Sequence, residues 1–203
     1  LYALWEACGA DAALAFFRDR PEAAMLLSLA ESQALAPSSS GMGRLFDAVA
    51  ALAGLCPVAR YEGEAAIALE QAMDESAQGR YALEISGGQW DWRPLVGEVF
   101  RDVQRGESAG VISARFHRAL SDLTVRAALP GEAVVLSGGV FQNAHLLELC
   151  IAALEAKGYQ VFANERVPAG DGGISYGQAA VAAARMKGDG SVVSCGSGDD
   201  YVH

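Results

Sequence analysis

Apolar residues along the chain recur with two different periods, and the changes between them mark the elements. Residues 1–35 carry helical spacing interrupted at Pro21, and the Pro/Ser/Gly-rich run "PSSSGMGR" then predicts a turn. In "GRLFDAVAALAGL", residues 43–55, Leu45, Val49 and Leu52 fall on one helical face with Phe46 and Ala53 beside them, and Ser39 or Ser40 is a cap for that helix. "EAAIALEQAMDESAQG" predicts another helix, closed at Gly79. "YALEIS" and "WDWRPL" flank "GGQ", so residues 81–95 read as a β-hairpin or strand-loop-strand, and helices follow at about 95–105 and 109–129.

From there the pattern is strand at 134–136, helix at 141–157 stopped by Gly158, strand in "YQVFA", and helix at 174–186. That alternation predicts an α/β fold with parallel strands and helical crossovers. The expected organisation is a helical part over residues 1–80, an α/β lobe over 81–187, and a linker or disordered tail over 188–203. The chain opens on Leu1, inside a helical pattern and without a Met, and so reads as a piece of a longer one.

With 203 residues, 52% hydrophobic and 20% charged, the chain can bury a substantial core. A formal charge of -10 with no compensating basic tract argues against nucleic acid or an anionic membrane as the main partner. No uncharged apolar run reaches the roughly twenty residues of a membrane span, and no basic region opens a signal peptide. The four cysteines, at positions 8, 56, 150 and 195, form no CxxC pair and read as reduced cytosolic thiols, none of them a compelling nucleophile.

Three polar features carry candidate chemistry. In "VVLSGGVFQN" a strand runs into Gly138 and Gly139 and then into a helix, a geometry in which backbone N–H groups at 138–140, Ser137 and the helix dipole favour phosphate. The same sequence also serves a ligand-free tight turn, with Asn143 as a surface residue. In "PAGDGGISYGQAA", Asp171 is either an N-cap or a ligand at the sheet edge, and Gly173 and Gly177 also suit close helix packing. Arg44 and Asp47, three apart, form a solvated ion pair by default, with Asp47 as a ribose acceptor the alternative; Glu62 and Glu64 around Gly63 offer the same. His117 shares a polar helical face with Ser113, Ser121 and Thr124 and reads as exposed. HExxH, GxSxG and GxxxxGK[ST] are all absent.

The stretches "SSSGMGRLFDAVAALAGL", "YEGEAAIALE", "ISARFHRAL", "LSGGVFQNAHLLE" and "PAGDGGISYGQAAVAAAR" occur in this order, and over about residues 1–187 the chain resembles the C-terminal part of the hydrogenase maturation carbamoyltransferases of the HypF type. The resemblance implies the C-terminal portion of an actin-like ATPase domain, of the sugar-kinase and heat-shock-protein superfamily, with a mixed sheet and flanking helices, related to the tRNA threonylcarbamoyl-adenosine synthases. It implies that Asp47 meets the ribose, that Gly63 and Glu64 lie near the adenosine, that Gly138, Gly139 and Asn143 lie along the nucleotide, and that Asp171 is a metal ligand.

Further implied are ATP, a divalent metal whose other ligands lie outside this chain, carbamoyl phosphate as donor, carbamoyl-adenylate as intermediate and the C-terminal cysteine of HypE as acceptor. The carbamoyl group becomes the cyanide ligand of a [NiFe] hydrogenase, in the cytoplasm. The family's HxxxH-type segment is absent from this chain, and one carboxylate does not hold a divalent ion tightly. The alternatives are a non-catalytic nucleotide-binding or interaction lobe, whose open cleft side invites homodimerisation, and a carbamoyltransferase acting on a small molecule.

Overall fold

The computed structural model describes residues 1–30, 32, 39, 41–86, 88–131 and 133–186. The expected Ser40 cap and the 188–203 tail lie outside them. Among the described residues the helices are α1 (Tyr2–Cys8), α2 (Ala10–Phe16), α3 (Ala23–Ala30), α4 (Met42–Leu52), α5 (Glu64–Gln71), α6 (Arg93–Gln104), α7 (Ala109–Ala127), α8 (Ala144–Glu155) and α9 (Ile174–Met186). The strands are β1 (Glu84–Ser86), β2 (Gln89–Asp91), β3 (Val134–Leu136) and β4 (Val161–Ala163). The α/β class holds, and the described strands form two two-stranded sheets: an antiparallel hairpin pairing Ile85 with Trp90, and β3 beside β4, where Val134 N–H donates to Gln160 O at 2.8 Å.

Contacts divide the chain into two compact units, Leu1–Val134 with Asn143–Val161, and Val135–Gln142 with Phe162–His203, the second described as far as Met186. Residues 80 and 81 fall together in the first. Its core is built from Phe46 and Val49 of α4, Leu69 of α5, Leu95, Val96 and Val99 of α6, Ile112 and Phe116 of α7, and Leu146 and Leu154 of α8, all nearly or wholly buried. The rings of Phe46 and Phe116 meet edge to face with centroids 4.8 Å apart, a geometry the aromatic quadrupole favours.

Helix α7 organises this unit. Ser108 caps it, its hydroxyl accepting from Val111 N–H at 3.3 Å. Two adjacent rows of the helix are buried: the apolar row Ile112, Phe116, Leu120 and the polar row Ser113, His117, Ser121. The expected exposed His117 is thus corrected: the polar row turns inward because every member is satisfied there, Ser113 by Leu69 O, His117 by Ser113 O and Ser121 by Leu149 O.

Two helix boundaries move from their expected places for the same kind of reason. The helix expected to run to Gly79 stops at Gln71, because the Asp74 carboxylate accepts from both the N–H and the hydroxyl of Ser76, at 3.0 and 2.7 Å, and Asp74 N–H donates to Gly110 O. The helix expected from residue 141 begins at Ala144. Residues 139–142 form a 3-10 turn, and Asn143 leaves helical geometry with ψ 109° to cap α8. Elsewhere in the unit, buried Asp102 accepts from Tyr81 at 2.9 Å and Arg115 at 2.6 Å. Burial first, and then Asp102, push the Tyr81 hydroxyl well above its usual range.

Gly110 tests the seam between α7 and the 72–74 turn. A Cβ there falls 2.8 Å from Ala72 O and 3.1 Å from Asp74 Cβ. Gly110→Ala, which on an open helix face would stabilise, is therefore expected to cost about 1–3 kcal/mol. Urea unfolding checks the sign, and a stabilised variant contradicts this packing.

Candidate nucleotide site

In the second unit the strand β3 gives out into the two glycines. Gly138 has φ +106°, a conformation that side chains rarely adopt, and its N–H donates to Ala169 O at 2.9 Å. That donor is therefore taken. The N–H groups of Gly139 and Val140, at the start of the 3-10 turn, have no partner among the described residues, and a Cβ on Gly139 meets nothing within 4 Å. Ser137 is exposed beside them.

The second glycine-rich turn lies directly against the first. A Cβ on Gly170 would strike Gln142 Nε2 and approach Gly139 Cα at 3.4 Å, and one on Gly173 would come 2.5 Å from Pro168 O. Glycine at 170 and 173 thus permits a close approach of backbones, whereas Gly177 faces open space. Asp171 opens the 3-10 turn Asp171–Gly173 that leads into α9; it is exposed, and its carboxylate accepts no hydrogen bond among the described residues. Two convergent turns therefore present two backbone donors and one carboxylate. No group of three or more His, Cys, Asp or Glu side chains among the described residues could hold a metal ion. The described residues do not by themselves fit a complete metal site.

The remaining expected residues belong to the first unit. Asp47 is 32% exposed and pairs with Arg44 at 3.0 Å on α4. Gly63, at φ +83°, starts α5 from a left-handed turn. Glu64 next to it is engaged by Arg60, which donates from its backbone N–H at 2.5 Å and from its guanidinium at 2.6 and 3.0 Å. Those hydrogen bonds hold the Glu64 carboxyl below its ordinary range. Asn143 is 7% exposed, and its Oδ1 accepts from Leu146 N–H at 2.8 Å. Ala144 N–H donates to Glu70 Oε1 at 2.7 Å. The protein's own carboxylate and amide thus occupy donors at the N-terminus of α8 that the sequence pattern offers to phosphate, and the open donors lie earlier, in the 139–140 turn.

Behind Asn143 stands a set of residues that the sequence reading did not assign to the site. Ser113 Oγ–H donates to Leu69 O at 2.5 Å. His117 Nδ1 lies 2.8 Å from Ser113 O, and a carbonyl only accepts, so Nδ1 carries the proton. Nε2 is then a bare acceptor, and Asn143 Nδ2 donates to it at 2.9 Å. The Asn143 amide has a single consistent orientation, because its oxygen is fixed on Leu146 N–H. His117 is wholly buried, with Phe46 edge-on at 5.6 Å. Burial holds its pKa below the ordinary 6.5, against the opposing pull of the Ser113 carbonyl and of Glu70. The pattern that could have found this set, read in the sequence as an exposed face, is the 113–117–121 row running beside the apolar 112–116–120 row.

Comparison with known proteins gives the following. The family model described as the carbamoyltransferase, Kae1-like domain, second subdomain of HypF matches residues 1–178. The carbamoyltransferase HypF of Synechocystis sp. is 37% identical over 150 residues, covering 70% of this chain and 19% of that protein. That of Rhodobacter capsulatus is 38% identical over 159 residues, covering 75% and 21%. The chain thus spans about a fifth of the length of these curated relatives. A full-length HypF crystallised in its phosphate- and nucleotide-bound form superposes with a TM-score of 0.74 at 35% identity, over 83% of this chain and 29% of that one.

The neutral His117 has a consequence for stability. A histidine whose pKa is lowered by folding binds more protons when unfolded, so its contribution is complete above 6.5 and is lost as pH falls below that value. Urea unfolding across pH 5–7.5 is expected to show a steeper acid-side loss in the parent than in His117→Gln. Parallel curves contradict the buried neutral imidazole.

Proposed function

The chain belongs to the HypF carbamoyltransferase family, and from that premise we propose that it supplies one part of an ATP-dependent carbamoyl-transfer site, with the Gly138–Gly139 turn holding phosphate oxygens of the nucleotide. One observation carries the reading. The two N–H groups at Gly139 and Val140 are without partners among the described residues and sit where a Gly139 side chain would project into open space. Backbone donors of this kind bind anionic oxygen without the reorganisation that water would need. Support comes also from the structural relative solved with phosphate and nucleotide bound.

In this reading each residue binds or orients. Gly139 and Val140 donate to phosphate. Asn143 keeps one amide N–H beyond the one given to His117, and directs it to the nucleotide. Asp47 accepts from ribose hydroxyls in exchange for part of its pairing with exposed Arg44, a small cost because exposed pairs contribute only about 0.2–1 kcal/mol. Gly63 and Glu64 lie beside the adenosine, Glu64 through the shape of its Arg60-bound turn. Asp171 offers a carboxylate oxygen to a divalent ion whose other ligands come from outside this chain; when bound, that ion would polarise phosphate or acyl oxygen.

The finer assignment within the reading is that carbamoyl phosphate is the donor and the C-terminal cysteine of HypE the acceptor, in the cytoplasmic maturation of a [NiFe] hydrogenase. Among the described residues no helix is long and apolar enough to cross a membrane.

The test separates fold from site. Gly139 lacks the positive φ of Gly138 and has no protein atom where a side chain would go. Gly139→Val in the full-length protein carrying this chain is therefore expected to keep its melting temperature within a few degrees and to lose ATP affinity by about tenfold or more. Calorimetric titration checks it, and wild-type affinity removes the turn from the nucleotide site.

A further inference from the structure

We propose that Gln142 is a further ligand-contacting residue of the glycine turns, its side-chain amide donating to the phosphate that Gly139 and Val140 hold. The inference rests on the nucleotide reading above and adds to it a donor that is a side chain rather than backbone. Every residue it uses belongs to the second compact unit. Gln142 closes the 3-10 turn Gly139–Gln142, is exposed, and has no side-chain hydrogen-bond partner among the described residues.

The place of the carboxamide is fixed by Gly170. A Cβ on Gly170 would strike Gln142 Nε2 and come 3.6 Å from Gln142 Cδ and 3.4 Å from Gly139 Cα, so the amide lies where the two turns meet. A Cβ on Gly139 meets nothing within 4 Å, so the amide borders the open space beside Gly139 without filling it. Because the amide is uncommitted, rotation about its last side-chain bond aims the NH2 without breaking a hydrogen bond. The neighbouring free groups decide which end a ligand takes. Two adjacent backbone N–H groups, at Gly139 and Val140, favour an anionic oxygen, and an amide at the border of their space completes that recognition as a donor. Its neutrality suits a place next to Asp171, where a second carboxylate would repel phosphate. Gly170 has φ −97°, which any residue adopts, so what glycine provides there is room for the carboxamide.

The experiment is ATP titration by calorimetry, with melting temperatures in parallel, on full-length protein bearing Gln142→Leu, Gln142→Glu, Gly170→Ala or Gly139→Val. Gln142→Leu keeps the bulk and removes the donor; it is expected to weaken ATP binding about tenfold, the scale of one hydrogen bond to a charged group. Its melting temperature is expected to stay within a few degrees of wild type, because the side chain is exposed. Gln142→Glu keeps the shape and the acceptors but brings a negative charge, and is expected to bind about threefold or more below the leucine variant. Gly170→Ala pushes the mobile end of Gln142 aside with its chemistry intact, and is expected to lose about threefold or more. The order glutamine, leucine, glutamate separates donation from the other roles: a group needed only for its size, or one that accepts from the ligand, leaves the glutamate variant at wild-type affinity. Wild-type affinity in Gln142→Leu or Gln142→Glu overturns the inference, as do losses that follow melting temperature. Loss of binding in Gly139→Val with no effect of the Gln142 variants overturns this inference alone, while wild-type affinity in Gly139→Val overturns it together with the nucleotide reading.

Discussion

One continuous line of buried hydrogen bonds governs the first unit: Ser113 Oγ–H to Leu69 O, His117 Nδ1–H to Ser113 O, Asn143 Nδ2–H to His117 Nε2, and Leu146 N–H to Asn143 Oδ1. Each link fixes the next. The Ser113 carbonyl determines which ring nitrogen carries the proton, the bare nitrogen determines which end of the amide faces it, and the amide oxygen then caps α8. Away from water such a line stabilises only when every member is satisfied, since a single unpaired buried group costs about 1–3 kcal/mol. Here no buried side-chain nitrogen or oxygen among the described residues lacks a partner. Helices α5, α7 and α8 are thereby set in one register, with Phe46 of α4 packed against the ring.

That line also explains what the sequence made legible and what it hid. Apolar periodicity located α4, α6 and α7 closely, because each buries a stripe that repeats with the helical period. The end of α5 was not legible, because it depends on Asp74 finding Ser76 locally and Gly110 across the chain. The start of α8 was displaced because Asn143 reads equally well as a first-turn residue or as a cap, and the choice is made by His117, twenty-six positions away. His117 itself was misread for a related reason: a polar row at i, i+4 spacing looks solvated unless its partners are known, and its partners are the Leu69 and Leu149 carbonyls and a distant amide.

The glycines divide in the same way. "SGGV" and "AGDGG" announce turns, and the structure brings them side by side in the second unit. Which backbone donors stay open was not legible. Gly138 N–H bonds Ala169 O, and the α8 terminus is occupied by Glu70 and Asn143, so the donors without a partner among the described residues of the turn are those of Gly139 and Val140.

The central claim is that a neutral imidazole with one defined tautomer holds the Asn143 cap of α8. A long-range proton–nitrogen correlation spectrum of the His117 ring at neutral pH measures that state directly. The account predicts a protonated Nδ1 and a bare Nε2; an imidazolium, or a ring protonated at Nε2, would contradict it.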